Sequence, residues 1–389
     1  MKRLFLIIAA TLAIASCGTN GKLTKYDDAH FAALQERIDN HTTPNNVKCY
    51  YTEATQLNLA GKILDGTPNP YARVDTIKYK GFTTGENRQV RSSAGLMVLF
   101  KTNSSVITVK TKWGQLYVAG NTMPLAYGGY DLYIKDKKGE WTWAGACDAK
   151  QGKDDQEVVV VRNMDREMHE CILYLPMYSE IYSCKVGVEE GSSIEPLEGA
   201  FHHRIMFHGS SFTQGISISR AGMAYPLQFM RHTGLQVLPL GCSGNSKLQQ
   251  YFADVFVDVD ADAYVFDSFS NPDYKTIKAR LIPFIDKLIA AHPGKPIIFQ
   301  QTIWRENRNF NKFTDANEQA KMDMVTTMFH DILKDPKYKD VYLVFPDACE
   351  PGSHEYTVDG THPDDHGYYL WAKSLEKPIL KILKKYGIQ

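Results

Sequence analysis

The stretch His203-Arg204-Ile205-Met206-Phe207-His208-Gly209-Ser210-Ser211-Phe212-Thr213-Gln214-Gly215 lies near the middle of a chain of 389 residues and decides its fold. The apolar run ends abruptly in small hydroxyl residues between two glycines. This pattern predicts a buried strand ending in an exposed serine, although a plain strand-to-helix turn fits it equally well. In an open α/β sheet, the C-terminal ends of the parallel strands meet in the crevice that binds ligands. A serine here is therefore a candidate nucleophile.

The two halves of the chain differ in the rhythm of their apolar residues. After Phe201, apolar strands alternate with longer helical stretches, which predicts one three-layer α/β domain with a parallel sheet over residues 201–389. The predicted strands lie near 205–208, 236–240, 263–269, 296–301 and 341–345, and the helices near 221–232, 247–256, 274–292, 315–334 and 363–385. Residues 47–200 instead carry seven or more short apolar or alternating runs, including Tyr71–Ile77. They predict an antiparallel β-sandwich.

The N-terminus has the features of an export signal. A basic start, Met1-Lys2-Arg3, precedes an apolar run that ends in Ile14-Ala15-Ser16-Cys17-Gly18. This segment, residues 1–17, resembles a bacterial lipoprotein signal with lipidation at Cys17, and it implies a lipid anchor in the cell envelope, in the periplasm or at the outer-membrane surface. The run is short for a membrane span, which takes about 20 residues. A secretory signal with a coincidental cysteine is the other alternative. Residues 18–46 are predicted to form a tether and a short helix from Asp27 to Asn40.

Charge and cysteine content exclude some classes of function. Lys plus Arg and Asp plus Glu both number 44, with no basic stripe, so nucleic acid is not expected as a partner. Besides Cys17, six cysteines permit disulfides in an exported protein, and the sequence does not choose their pairing. They form no CxxC pair, so a zinc cluster is not supported.

A second candidate constellation lies near the C-terminus, in Asp359-Gly360-Thr361-His362-Pro363-Asp364-Asp365-His366. Pro363 suits the first position of a helix, so Asp359 and His362 should share the turn before it. Asp359 can then orient His362 as the base for a serine nucleophile. A zinc pattern formed by His362 and His366 is the competing interpretation. It needs both histidines on one helical face, which Pro363 disfavours.

With this pair, the segment from about Arg204 to the end resembles the SGNH (GDSL-type) hydrolase superfamily. Four sequence blocks occur in the family's order: Gly209–Gly215, Leu240–Asn245, Phe266–Asn271 and Asp359–His362. The resemblance implies a flavodoxin-like fold, with Ser211 as nucleophile, His362 as base and Asp359 as its partner. It also implies an oxyanion hole formed by the N–H groups of Ser211 and Gly244 and the amide of Asn271.

Two positions depart from the family pattern. Ser210 replaces the usual aspartate of the first block, and Phe269-Ser270-Asn271-Pro272 replaces the usual Gly-x-Asn-Asp of the third. The preceding β region contains Gly129-Tyr130-Asp131-Leu132-Tyr133, which resembles the GxDLY domain found before some of these hydrolases. The resemblance extends to a jelly-roll-like sandwich there. Asp131 is a weak candidate for a site residue, because a turn followed by a strand explains the motif.

The resemblance implies a serine esterase that needs no metal or organic cofactor. Resemblance to carbohydrate esterases favours O-acetyl groups on oligo- or polysaccharides as its substrate. A hydrolase of lipid or other acyl esters is one alternative. A surface carbohydrate-binding lipoprotein that has lost activity is another, and retention of Ser211, Asp359 and His362 argues against it.

Overall fold

The structure is a computed structural model, and it describes residues 25–346 and 354–389. The predicted signal segment, Cys17 and Cys349 lie outside these residues. The chain divides into two compact units, Met1–Pro44 and Asn45–Gln389. In the first unit, helix α1 spans Asp28–Asn40 and is capped by Asp27, whose side chain accepts a hydrogen bond from the His30 N–H at 2.8 Å. The predicted helix is therefore confirmed.

The first half of the larger unit is built from two antiparallel sheets. Strands β1, β9, β4 and β7 form one sheet, and β10, β3, β8, β5 and β6 form the other, with β2 also pairing with β3. The strands are β1 Cys49–Glu53, β2 Asn58–Ala60, β3 Met97–Thr102, β4 Val106–Trp113, β5 Gly129–Lys135, β6 Trp141–Asp148, β7 Val158–Arg162, β8 His169–Tyr174, β9 Ile181–Glu189 and β10 Ile194–Pro196; helices α2 Thr84–Arg91 and α3 Pro124–Tyr127 lie between them. Val109 and Val186 of the first sheet share a core with Leu132 and Leu173 of the second. The predicted antiparallel β region is confirmed.

One predicted strand is wrong. Residues 71–77 form turns, and α2 follows them where no helix was predicted. Val74 is buried for another reason, because it packs in the same cluster as Leu240 and Phe252 of the second half of the unit. The Arg73 guanidinium is buried as well and donates to the carbonyl of Gly241 at 3.0 Å. The segment between β2 and β3 is therefore a long connection that packs against the second half.

The second half is a parallel sheet covered by helices, as predicted. Its strand order is β12-β11-β13-β14-β15, the 2-1-3-4-5 order of flavodoxin-like folds. The strands are β11 His202–Gly209, β12 Leu235–Gly241, β13 Ala263–Asp267, β14 Ile297–Gln300 and β15 Val341–Val344, and the helices are α4 Ser211–Gln214, α5 Tyr225–Thr233, α6 Gln250–Val257, α7 Tyr274–Ala291, α8 Lys312–Ile332 and α9 Asp365–Leu383. Gly209 is in register with Gly241 on one side and Asp267 on the other. These three strands therefore end at one level of the sheet.

The two halves share a hydrophobic core. One face of the larger antiparallel sheet, with Met97 and Ile172, clusters with Phe207, Tyr225 and Trp371 of the parallel-sheet half. At Gly95 the halves approach too closely for a side chain, since a Cβ there would lie 2.1 Å from Pro239 Cγ. This packing explains why Asn45–Gln389 forms one unit, while the predicted domain boundary at 200/201 stays a prediction.

The described residues contain no helix that could span a membrane, and five of their cysteines are free thiols. These thiols are Cys49, Cys147, Cys171, Cys184 and Cys242. Burial raises the pKa of Cys242 to about 12, so this thiol beside the second block is protonated at neutral pH and is a poor nucleophile.

Candidate active site

Ser211 lies on the first turn that follows strand β11. Ser210 caps helix α4, because its hydroxyl accepts a hydrogen bond from the Phe212 N–H at 3.2 Å. Ser211 is the first residue of that helix, and only 7% of its surface is exposed rather than the open exposure expected for the turn. The difference arises because other segments of the chain, His362 among them, pack over the turn.

The flanking glycines are needed for this geometry. A Cβ on Gly209 would lie 2.1 Å from Thr213 Oγ1, so the turn can fold back onto the strand only without a side chain there. Gly215 ends the short helix with φ of 89°, a left-handed conformation that favours glycine. Both glycines of the opening stretch therefore shape the turn that carries Ser211.

Ser211, His362 and Asp359 form a continuous hydrogen-bonded chain. The Ser211 hydroxyl lies 2.9 Å from His362 Nε2, and His362 Nδ1 lies 2.8 Å from Asp359 Oδ2. Since an ionised carboxylate only accepts, His362 Nδ1 carries the proton and Nε2 is free to accept from the serine. The other carboxylate oxygen, Asp359 Oδ1, accepts from the backbone N–H groups of Thr361 and His362 at 3.0 and 2.8 Å. The geometry is that of a Ser-His-Asp arrangement.

The protonation states also suit proton transfer. Burial would raise the pKa of Asp359, but hydrogen bonds from His362 and Asn121 outweigh it and lower the pKa to about 2. Burial lowers the pKa of His362 below its ordinary value, against the opposing influence of Asp359. At neutral pH the carboxylate is therefore ionised and the imidazole is a free base.

The competing zinc interpretation needs both His362 and His366 as ligands. His362 instead directs its two ring nitrogens at Asp359 and Ser211, and His366 is exposed in the first turn of α9. Among the residues that the structure describes, no three His, Cys, Asp or Glu side chains form a group that could hold a metal ion.

The three predicted oxyanion donors each lie a few residues after the end of a strand: Ser211 after β11, Gly244 after β12 and Asn271 after β13. These three strands end at one level of the sheet. Ser211 is the first residue of α4, so its N–H has no acceptor within the helix. Gly244 has φ of 73°, and nothing lies within 4 Å of the position that a Cβ would occupy. The Asn271 carbonyl oxygen accepts from the Ser246 N–H at 3.1 Å, which fixes the orientation of the amide and leaves its NH2 group for another partner.

Asp267 compensates for the departure at Ser210, a role that the sequence did not reveal. This fully buried carboxylate ends strand β13 and accepts a hydrogen bond from the Ser210 hydroxyl at 2.7 Å. It also accepts from Thr213 at 3.2 Å and, through its other oxygen, from Ser270 at 3.1 Å. A buried carboxylate of the neighbouring strand therefore lies beside Ser210, where the first block lacks an aspartate, and it joins the Ser211 turn to the loop that carries Ser270 and Asn271.

Asn121 is a second residue that sequence reasoning missed. It lies between β4 and β5, and its side-chain Nδ2 donates to Asp359 Oδ2 at 2.8 Å. The two residues are 238 positions apart, and Asn121 belongs to no recognised motif. No signal in a single sequence could have found this contact.

Asp131 of the GxDLY-like motif lies away from the serine chain, in the interface between the two halves. It is fully buried and accepts from Arg220 at 2.9 Å, from the Gly222 N–H at 2.8 Å and from the Trp143 indole at 3.0 Å. His208, next to the first block, donates from Nδ1 to the carbonyl of Leu240 at 2.8 Å, and its Nε2 lies 3.2 Å from the Ser246 hydroxyl. Burial lowers the pKa of His208 to about 3. Both residues therefore have structural roles.

Comparisons with known proteins assign both halves to described families. Residues 202–381 match the GDSL-like lipase/acylhydrolase family, and residues 49–194 match the GxDLY family, described as the N-terminus of SGNH-hydrolase-type esterases. A search of curated proteins found no match.

Solved structures give the same result. A protein of Bacteroides ovatus ATCC 8483 described as a GDSL-like lipase is 38% identical, with a TM-score of 0.82 over 87% of this chain and 98% of that chain. Two more distant structures share the fold. The salicylyl-acyltransferase SsfX3 has a TM-score of 0.68 at 18% identity, over 86% of this chain and 98% of its own. A family two carbohydrate esterase from Cellvibrio japonicus has a TM-score of 0.55 at 12% identity, over 87% and 98%. The chain therefore belongs to the GDSL-like lipase/acylhydrolase family of SGNH hydrolases and carries a GxDLY-type N-terminal region.

Proposed function

We propose that this acylhydrolase is a serine esterase in which Ser211 is the nucleophile, His362 the general base and acid, and Asp359 the residue that orients His362. The observation that carries the proposal is the hydrogen-bonded chain from the Ser211 hydroxyl through His362 to Asp359, with distances of 2.9 and 2.8 Å. A neutral imidazole between a hydroxyl and an ionised carboxylate can move a proton in both directions.

The reaction proceeds in two steps. Ser211 Oγ attacks the ester carbonyl carbon while its proton passes to His362 Nε2, and His362 returns that proton to the leaving alkoxide. Water then attacks the acyl-serine, again giving a proton to His362. His362 protonates Ser211 Oγ as the carboxylic acid leaves. The oxyanion formed in each step accepts from the Ser211 N–H, the Gly244 N–H and the Asn271 amide.

The substrate that we propose is an O-acetyl ester on an oligo- or polysaccharide. A cleft of about 370 Å³ lies beside the segment that carries His362 and is lined by Met123, Ser217, Ser219, Asp364, Asp365 and His366. Five of these six residues carry a hydroxyl, carboxylate or imidazole group that can form hydrogen bonds with the hydroxyl groups of a sugar. A protein of the same fold is described as a carbohydrate esterase, so the architecture accommodates such substrates.

The two alternatives differ from this proposal in what the site should contain. A hydrolase of long-chain lipid esters needs an apolar groove for the chain beside Ser211, and it would prefer long-chain esters to acetate esters. An inactive carbohydrate-binding protein has no need of an ordered serine-histidine-aspartate chain, and that chain is present.

The test compares the purified protein with Ser211→Ala on p-nitrophenyl acetate, on a p-nitrophenyl ester of a long acyl chain and on acetylated glycans. We expect release of acetate from the first and third substrates, and a loss of at least about 10⁴-fold in kcat for the variant. No turnover on any ester would refute the esterase, and preference for the long chain would support the lipid alternative. Turnover that survives Ser211→Ala would place the nucleophile elsewhere.

We also propose that Cys17 is acylated and anchors the protein to the cell envelope, at the periplasmic or outer-membrane surface. The basic start, the short apolar run and the small residues before Cys17 support this. Incorporation of labelled palmitate that disappears in Cys17→Ser would agree with the proposal, and equal incorporation in both proteins would contradict it.

A further inference from the structure

The carboxylate of Asp359 has a partner in the antiparallel half of the protein. Asn121 Nδ2 donates to Asp359 Oδ2 at 2.8 Å, and the same oxygen accepts from His362 Nδ1 at 2.8 Å. Asp359 Oδ1 accepts from two backbone N–H groups of its own loop. Asn121 is therefore the only side chain other than that of His362 for which the described residues show a hydrogen bond to this carboxylate.

The segment that carries Asn121 is held against the residues that follow the Ser211 turn. The next residue, Thr122, accepts a hydrogen bond from the Ser217 N–H at 2.8 Å. The Ile216 N–H in turn donates to the carbonyl of Ser211 at 3.0 Å. The side chains of Thr122 and Asn121 thus join this segment to the residues after the nucleophile turn and to Asp359, respectively. These contacts fix the position of the amide.

The hydrogen bond restrains a carboxylate that its own loop leaves partly open. The Asp359 side chain is 33% exposed, and the Asp359–His362 pair is held by residues three positions apart. The two backbone N–H groups hold Oδ1, whereas Oδ2, which accepts from His362, has Asn121 as its other donor. Without Asn121, Oδ2 is restrained by His362 alone, so a small tilt of the carboxylate would move the imidazole relative to Ser211. Misplacement of a catalytic group by about 1 Å can cost about 100-fold in rate.

We propose that Asn121 is a positioning residue, which holds Asp359 in the orientation that aligns His362 with Ser211. The antiparallel half thereby contributes to catalysis through its loop between β4 and β5. The inference rests on the proposed function, since it assigns a role within the same site. It gives the N-terminal region a part in the chemistry besides its packing.

The experiment compares Asn121→Ala and Asn121→Asp with the unaltered protein. Asn121→Asp keeps the size of the side chain but cannot donate when ionised. Val118→Ala is the matched control, because Val118 lies in the same loop and is 71% exposed. We expect kcat on p-nitrophenyl acetate to fall about tenfold in both Asn121 variants, the loss of one hydrogen bond to a charged group, with KM changed less than about twofold. Val118→Ala should match the unaltered protein.

A second readout does not depend on activity. The proton between His362 Nδ1 and Asp359 gives a downfield ¹H NMR resonance, assigned by its loss in Asp359→Ala. We expect both Asn121 variants to shift or broaden this resonance, while Val118→Ala leaves it in place. An unchanged resonance would overturn the inference even if kcat falls, and so would an unchanged kcat accompanied only by a lower melting temperature. If no ester is hydrolysed by the unaltered protein, the proposed function fails and the resonance alone decides the role of Asn121.

Discussion

In the proposed mechanism, the Ser211 hydroxyl is activated by two residues about 150 positions further along the chain, which the structure places in one hydrogen-bonded chain with it. In isolation, Gly209-Ser210-Ser211 offers two equivalent serines, but the structure places His362 Nε2 2.9 Å from Ser211 and uses the Ser210 hydroxyl as a helix cap and as a donor to Asp267. The free-base imidazole that hydrolysis requires results from burial, which lowers the pKa of His362, opposed by Asp359, which raises it. The pKa of His362, set by these two influences, predicts how the reaction rate depends on pH.

Because only neutral His362 can act as a base, kcat/KM should rise with pH through the pKa of His362 and then level off. In Asp359→Asn the carboxylate no longer raises that pKa, so the rising limb should move to lower pH while the plateau falls about 10³- to 10⁴-fold. A pH–rate profile on p-nitrophenyl acetate measures both. Asp260→Asn, which alters a carboxylate that is 85% exposed, is the control and should leave the profile unchanged. A limb that moves to higher pH in Asp359→Asn would contradict the assignment.

Strand ends are the elements that assemble the site. The alternation of short apolar runs with longer helical stretches predicted β11 to β15 and the helices between them, because buried parallel strands have nearly continuous apolar sequences. The turn at 71–77 shows the limit of such patterns. Val74 in this turn is apolar because it packs against the other half of the chain rather than within a sheet. Asn121 shows a second limit, because a contact across 238 positions leaves no local pattern.

The end of β11 carries Ser210 where the family has an aspartate, and the end of β13 carries Asp267 beside it. Restoring an aspartate at position 210 tests whether Asp267 takes over that carboxylate's place. Ser210→Asp places a second carboxylate where the Ser210 hydroxyl now donates to buried Asp267 at 2.7 Å. We expect it to lower the free energy of unfolding by about 2 to 4 kcal/mol, because two buried carboxylates repel each other and one must take up a proton. Ser210→Asp/Asp267→Asn should regain most of that loss, since an amide can donate to the new carboxylate. Chemical denaturation measures the change, and a double variant no more stable than Ser210→Asp would refute this role of Asp267.

At the scale of the whole molecule, the antiparallel half and the parallel-sheet half fold as one unit around a shared core. The Asp131 carboxylate joins them through Arg220 and the Gly222 N–H, so the GxDLY-type motif has a structural explanation. The position of Asn121 against Asp359 depends on this packing. A sequence pattern could indicate each half separately, but the contacts between them follow only from the folded chain.

Removal of the Asp131 carboxylate should weaken the junction between the halves without changing the chemistry. Asp131→Ala leaves Arg220 without its charged partner in a buried site, and we expect a loss of about 3 to 5 kcal/mol in the free energy of unfolding. Well below the melting temperature, kcat should stay within about threefold, because Asp131 does not contact the serine chain. Glu170→Ala breaks the more exposed pair with Lys135 on the same sheet and should cost less than about 1 kcal/mol. Equal losses in the two variants would contradict the prediction that the buried Asp131–Arg220 pair stabilises the junction more than an exposed pair does.

The identity of the nucleophile is the central claim, and covalent labelling tests it most directly. A fluorophosphonate reacts with an activated serine and leaves a phosphonyl group on its oxygen. Mass spectrometry of the labelled protein should show one adduct, mapped to the peptide that contains Ser211, and none in Ser211→Ala or His362→Ala. An adduct on Ser210 or elsewhere, or equal labelling of the Ser211→Ala protein, would contradict the account.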